Sequence, residues 1–233
     1  MRALLLLAIL LAGCTLPGVL GSGEITSETR ELEPFHSISL NQINAELYIT
    51  QDGDHAIEIF ADDNIIDLIK TEVRNGVLVI RPETANLQPS EPIRLYTSMS
   101  EVRKLTASYN GKIIAETNIT CDELTLDIIG SGDIKDFNIS CNKLNSLISG
   151  SGSVQVSGSA DEHDTRISGS GNILASGLET NKTTATISGS GKQELYANEE
   201  LFATIFGSGD IYYKGNASVT ELNFGSGRIT KVD

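Results

Sequence analysis

The tripeptide Gly-Ser-Gly recurs six times in the second half of this 233-residue chain, starting at Gly130, Gly150, Gly169, Gly189, Gly207 and Gly225. Successive copies are 20, 19, 20, 18 and 18 residues apart. No other feature constrains the fold as much. A repeat of that size cannot bury a hydrophobic face alone, so neighbouring copies must stack into a solenoid. Coils of this length suit a parallel β-helix with two or three short strands per turn, each coil rising about 4.8 Å. The sequence therefore predicts an all-β fold, a right-handed parallel β-helix-like solenoid.

Two consecutive units, Asn118-Ile-Thr-Cys-Asp-Glu-Leu124 and Asn138-Ile-Ser-Cys-Asn-Lys-Leu144, align at every position with an offset of 20. Tyr109-Asn110-Gly111-Lys112-Ile113 reads as an earlier, degenerate copy. Strand alternation runs through the motif: Ile128, Gly130, Gly132 and Ile134 share one parity, as do Ile167, Gly169, Gly171 and Ile173. Two arrangements follow. In one, the glycine pairs (Gly130/Gly132, Gly150/Gly152, Gly169/Gly171, Gly189/Gly191, Gly207/Gly209, Gly225/Gly227) face inward and pinch the coil where two walls meet. In the other, Ser131, Ser151, Ser170, Ser190, Ser208 and Ser226 form an internal hydroxyl ladder. The second also buries Asp133 and Asp210 as unpaired charge, which is costly, so inward glycine is preferred.

Residues 1–13 stand apart from the fold. Arg2 supplies a short positive region, and residues 3–11 are apolar but too few to span a bilayer as an ordinary helix. Leu11-Ala12-Gly13-Cys14 resembles the lipobox of bacterial lipoproteins. That resemblance implies that residues 1–13 are a lipoprotein signal peptide and that Cys14 is the first mature residue, acylated on its sulfur and amino group. Two or more chains give a stable anchor. Thr15 rather than Asp after the cysteine implies the outer membrane; ordinary secretory cleavage near Ala12 is the alternative reading. Removing Arg2 with the leader leaves 16 basic against 31 acidic residues, a net charge of about −15. Such a charge argues against nucleic acid and against adsorption to anionic lipid, so membrane contact falls to the lipid on Cys14.

Residues 14–33, rich in glycine, serine and glutamate, read as a flexible tether. Residues 34–233 read as a single domain, with an N-terminal β region over 34–106 and repeats over 107–233. In the first part the strand period picks out residues 37–40, 45–50, 56–60, 93–97 and 105–108. Residues 64–70 are one candidate short helix capped by Asp63. Residues 72–80 read as a hairpin whose Asn75-Gly76 turn tolerates positive φ at both positions, and Pro82, Pro89 and Pro92 mark a loop. This region either caps the solenoid or continues it. At the other end Arg228, Lys231 and Asp233 charge the last strand, which discourages edge pairing.

The lipobox, the strand beginning Phe35-His36-Ser37-Ile38, the segment Asp63-Asn64-Ile65-Ile66 followed by Val77-Leu78-Val79-Ile80, and the reiterated Ser-Gly-Ser-Gly-Asx-Ile resemble one known family. It is the putative auto-transporter adhesin, head GIN domain family, and the resemblance covers about residues 34–232. Gly-Ile-Asn itself is absent, the closest string being Gln42-Ile43-Asn44. The resemblance implies a β-helix-like fold on an envelope-anchored protein and carries over no catalytic residues. Fold alone does not fix function.

Cys121 and Cys141 hold equivalent positions in successive repeats, which places them on adjacent rungs about 5 Å apart at Cα. They read either as a disulfide staple, permitted in an oxidising compartment, or as two buried thiols in a ladder. Asp161-Glu162-His163-Asp164 and Asp52-Gly53-Asp54-His55 lack zinc or EF-hand spacing and read as solvated turns. The Gly-Ser-Gly strings have neither the lysine of a phosphate loop nor the spacing of a nucleophile elbow. Asn118 and Asn138 open glycosylation-type triplets and read as repeat corners. No cofactor or metal is expected.

These features favour a non-catalytic cell-envelope lipoprotein whose solenoid surface serves adhesion or binds an unknown protein or glycan. A carbohydrate-active β-helix enzyme is the rival, needing clustered acids, or basic groups with calcium. The repeats are sparse in arginine, with Arg166 and Arg228 the only ones after Arg103. A third reading is an envelope scaffold that self-associates through coil ends or faces as a homo-oligomer.

Overall fold

The computed structural model describes residues 18–232, so the leader, Cys14 and Asp233 lie outside the described residues. The chain begins with β1 (Val19–Leu20), β2 (Ile25–Glu31), β3 (Ser37–Leu40), β4 (Ala45–Thr50) and β5 (Ala56–Asp62), then α1 (Asp63–Ile66). There follow β6 (Ile69–Arg74), β7 (Val77–Pro82), β8 (Leu87–Gln88) and β9 (Ile93–Ser98). The repeats supply β10 (Lys104–Tyr109), β11 (Lys112–Ala115), β12 (Ile119–Gly130), β13 (Asp133–Gly150), β14 (Ser153–Gly169) and β15 (Asn172–Gly189). The last coils hold β16 (Lys192–Tyr196), β17 (Glu200–Gly207), β18 (Asp210–Lys214), β19 (Ser218–Asn223) and β20 (Ile229–Lys231).

Parallel pairing stacks these strands into a β-solenoid. One wall runs β7, β3, β10, β12, then the C-terminal halves of β13, β14 and β15, then β17 and β19. A second runs β9, β4, β11, the N-terminal ends of β13, β14 and β15, then β16, β18 and β20. Gly-Ser-Gly is the corner between them. In the middle coils a third wall stacks Ile119 on Ile139, Gly158 and Leu178. Asn138 therefore begins a wall and not a corner; the bend precedes it, at Asp136 with φ 62. The shortened 18-residue spacing has a cause here. Lys192 lies over Asn172 and Glu200 over Lys182, so two fewer residues complete that coil and the third wall is lost.

Identical side chains stack because equal shapes repeat at equal heights. Ile128, Ile148, Ile167, Ile187 and Ile205 form one interior column. Ile113, Ile134, Val154 and Ile173 form another. Each buried side chain contributes about 1.5–3 kcal/mol by leaving water. The preferred parity holds for the second glycine of each triplet: Gly132, Gly152, Gly171, Gly191, Gly209 and Gly227 are buried and the intervening serines exposed. The first glycines are only half-buried, and Gly225 exposed, because the chain turns there. The interior is polar in places. Ser146 Oγ lies 2.9 Å from His163 Nε2, and Thr165 Oγ1 donates to Gln193 Oε1 at 2.8 Å.

The N-terminal region both continues the solenoid and caps it, in an order that breaks sequence order. The coil of β3 and β4 forms first in the chain; β7 and β9 then stack on its outer side, and β10 and β11 on the opposite side. Antiparallel β5 pairs with β9, β2 with β5, and β6 with β7, closing that end. The tether expectation fails from residue 19 onward. β2 is mostly exposed on both faces, so its composition is that of a linker, yet its backbone is paired along β5. The helix is also shorter than expected. Its N-cap is Asp62, not Asp63, and residues 69–70 belong to β6. The hairpin is as read, with Asn75 at φ 50 and Gly76 at φ 74.

The C-terminal edge is blunted. Positions that hold buried Ala203 and Ile205 in β17 become exposed Glu221 and Asn223 in β19. Asn223 ties the final turn, donating to the Gly227 carbonyl at 2.7 Å and accepting from the Gly225 N–H at 3.0 Å. Inward-facing polar groups on a last rung discourage further strands.

A corner cleft as the candidate functional site

The corner column explains where a concave site arises. From Gly130 to Gly207 the first glycine of each triplet has φ between 120 and 142. At Gly150, with φ 142, an added Cβ would also strike the Gly130 carbonyl of the coil below. Serine N–H groups carry the ladder around this corner: Ser151 donates to the Gly130 carbonyl at 2.8 Å and Ser170 to Gly150 at 2.9 Å. The same column continues toward the N-terminus without glycine. Tyr109 pairs with Gly130 and has φ 65; Gln42, two residues past Leu40 as Tyr109 is past Ala107, has φ 53. Left-handed backbone costs a non-glycine residue about 1–2 kcal/mol.

Both strained residues face an open cleft. The loop between β7 and β9 stands beside the corner and encloses a cavity of about 620 Å³, lined by Gln42, Asn44, Asn86, Tyr109 and Asn110 among others. A second cavity of about 680 Å³ meets it across Gln42, Pro82 and Tyr109, with Arg81 and Ile129 on its far side. Tyr109 is 58 % exposed between the two. Among the described residues, the side-chain amides of Gln42, Asn44, Asn86 and Asn110 make no hydrogen bond within the protein.

The outer rim of the cleft is held firmly. β1 pairs with β8, and Gly21 N–H donates to the Gln88 carbonyl at 2.9 Å. Asp62, fully buried, accepts from Gly23 N–H at 2.8 Å, Ser90 N–H at 3.0 Å and Ser90 Oγ at 2.6 Å. Burial alone would raise its pKa, but these donors outweigh it and hold the carboxyl below its ordinary value. With its oxygens committed there, the Asp62 carboxylate makes no capping hydrogen bond to α1, although Asp62 is the N-cap residue. Glu83 N–H donates to the Leu68 carbonyl at 2.7 Å and its carboxylate pairs with Lys70 at 3.0 Å.

A second aromatic group lies on the outer face of β4 and β9. Tyr48 and Tyr96 stack with centroids 4.8 Å apart, and Phe60 meets Tyr96 edge-on at 5.7 Å. Its polar groups are already engaged: Tyr48 donates to Glu46 at 3.1 Å, and Glu46 pairs with Lys112 at 3.0 Å. The cavities there are about 190 and 260 Å³.

The other residues singled out in the sequence take different places. Cys121 and Cys141 face each other on adjacent rungs with Cα atoms 4.9 Å apart, and their sulfurs are joined. His163 is not in a solvated turn; it is buried in the interior column between Leu144 and Thr183, and burial pushes its pKa down to about 4. Its neighbours Asp161 and Glu162 face solvent. At the other acidic string, Asp52 accepts from Thr50 at 3.0 Å and from Ser98, while His55 packs edge-on against Phe35 at 5.3 Å. Among the described residues no three His, Cys, Asp or Glu side chains converge as a metal site. Sequence reasoning missed the cleft, although the replacement of Gly-Ser-Gly by Tyr109-Asn110-Gly111 was its visible sign.

Solved structures share this architecture. A putative adhesin of Bacteroides fragilis superposes with a TM-score of 0.85 at 24 % identity, covering 92 % of this chain and 100 % of that one. A putative adhesin of Parabacteroides distasonis gives 0.76 at 24 % identity over 93 % of this chain and 100 % of its own. A protein of the same organism described as a putative lipid binding protein gives 0.78 at 23 % identity, again over 93 % and 100 %. At these identities the likeness speaks for the fold. A comparison with curated proteins gives no match. Residues 34–217 match the family described as "Putative auto-transporter adhesin, head GIN domain", and the chain belongs to that family.

Proposed function

We propose that this chain is a non-catalytic lipoprotein of the bacterial cell envelope, held at the outer membrane by acyl chains on Cys14 and adhering through the side of its solenoid. The observation that carries this reading is that one end is covered and the other carries polar groups that discourage stacking, while the flanks are open. Antiparallel β2, β5 and β6 cover one end, and Glu221 and Asn223 blunt the other. Adhesive contact with a protein or a glycan therefore falls to the lateral surface, where the corner cleft lies. The adhesin description of the family supports the same reading.

The test is fractionation and protease treatment of intact cells. The wild-type chain is expected in the outer-membrane fraction and cleaved from outside, with Cys14→Ala released into the soluble fraction. A Cys14→Ala chain that stays with the membrane would remove the lipid anchor. A wild-type chain shielded from external protease would remove adhesion.

A further inference from the structure

We propose that the cleft around Tyr109 is a binding site for a neutral oligosaccharide, an assignment that rests on the adhesive reading above and names its ligand class. The chemistry of the lining points to sugar. An exposed tyrosine ring offers a flat apolar surface for the C–H face of a pyranose, with its hydroxyl at the rim. Around it, the amides of Gln42, Asn44, Asn86 and Asn110 each carry both a donor and an acceptor. Sugar hydroxyls have the same dual character, so such amides can satisfy them in either direction.

Charge selects against an acidic polymer. The mature chain carries a net charge of about −15, and of the two charged residues at the cleft Glu83 is paired with Lys70 and Arg81 is offset by the nearby Glu72 carboxylate. Size fits as well. Each of the two cavities, about 620 and 680 Å³, lies within the range of small-ligand sites, and they meet at Tyr109. A linear ligand of several sugar units would lie across that tyrosine.

Backbone strain marks the same residues. Every triplet from Gly130 to Gly207 places glycine at this corner, whereas Gln42 and Tyr109 hold left-handed backbone with full side chains aimed at solvent. Folding gains little from an exposed ring at a strained position, whereas a ligand gains a fixed stacking surface. The rim is held by the β1–β8 pairing and by Asp62, so little ordering is needed on binding.

The test is isothermal titration calorimetry of the full chain in a non-glycosidic detergent. The probes are cello-, xylo-, manno- and chito-oligosaccharides of three to six units, with an oligogalacturonate as the anionic member. At least one neutral probe is expected to bind and the anionic one to be rejected. Tyr109→Gly, which restores the repeat's own residue and keeps the fold, should weaken binding at least tenfold; Asn110→Ala should weaken it severalfold. Unchanged affinity in Tyr109→Gly, binding of the oligogalacturonate alone, or no heat from any neutral probe would each overturn the assignment. Adhesion of cells carrying the chain, compared with cells lacking it, separates this failure from the broader one. If that difference persists the cleft is wrong and adhesion stands; if it is absent the adhesive reading itself falls.

Discussion

One corner of this solenoid is built in two ways. From Gly130 to Gly207 it is glycine, and from Gly150 onward the backbone is so close to the coil below that a single methyl group has no room. At Gln42 and Tyr109 the same column carries side chains at φ 53 and 65, and a loop has opened a cleft beside them. The glycine half spends its corner on close stacking, which repeats identically and leaves a smooth edge. The N-terminal half gives up that regularity, accepts strain, and obtains a concave surface. Close stacking and a concave surface are thus divided along one solenoid.

The sharpest way to break this contrast is to place a methyl group in each half. Gly150→Ala should cost about 3 kcal/mol or more, because both the φ of 142 and the Gly130 carbonyl oppose it. Tyr109→Ala, in the same column, should cost less than about 1 kcal/mol, since a side chain is already accommodated there. Urea unfolding midpoints of the two variants measure the difference. Equal losses would mean that the corner is one structure and not two.

Acid should separate the halves next. His163 is buried neutral in the repeat half with its pKa pushed down to about 4. The unfolded chain binds that proton from about pH 6.5 downward and the folded chain does not. Stability therefore falls between about pH 6.5 and 4, by about 3 kcal/mol in all. His163→Leu should flatten that slope. Asp62 works in the other window. Its folded pKa lies below the ordinary carboxylate value, so its contribution is complete above about pH 4 and is lost only as pH falls through that lower value. Hydrogen exchange followed against pH should show the repeat amides loosening before those of β1 and β8. The reverse order would refute the division.

Closing the 20-residue loop between Cys121 and Cys141 should add about 2–4 kcal/mol. A non-reducing peptide map of exported protein should contain the cross-linked pair, and Cys141→Ser should unfold earlier by that amount. Free thiols at both positions in exported protein would withdraw the staple. The smallest effect is a gain: Tyr109→Gly should stabilise the fold by about 1 kcal/mol by releasing left-handed strain. An unchanged or lowered melting temperature would show that the ring supports folding.

Much of the architecture was legible. Period two points Ile128, Gly132 and Ile134 inward; their burial and the exposure of Ser131 agree, while Gly130, at the turn itself, is only half-buried. Asn75-Gly76 announced its turn. The misreadings have a common cause. β2 looked like a tether because a strand held by backbone pairing alone needs no apolar face. His163 looked solvated because its acidic neighbours do point outward, while alternation turns the imidazole in. The sequence reading starts the helix one residue late because Asp62 and Asp63 are equivalent cap candidates in sequence. Only distant contacts show that Asp62, at the N-cap, gives its carboxylate to Gly23 and Ser90, 39 and 28 residues away.

By itself the sequence determined the stacked coil, its corner and the direction of its side chains, because those follow from local alternation and from a spacing repeated along the chain. Only the tertiary structure decided that β7 and β9 lie outside β3 and β4, and that the loop between them folds against Gln42 and Tyr109. The physical reason is register. Any alternating strand can lie on any other, and the choice is made by which distant backbone groups, buried carboxylates and apolar columns are satisfied together.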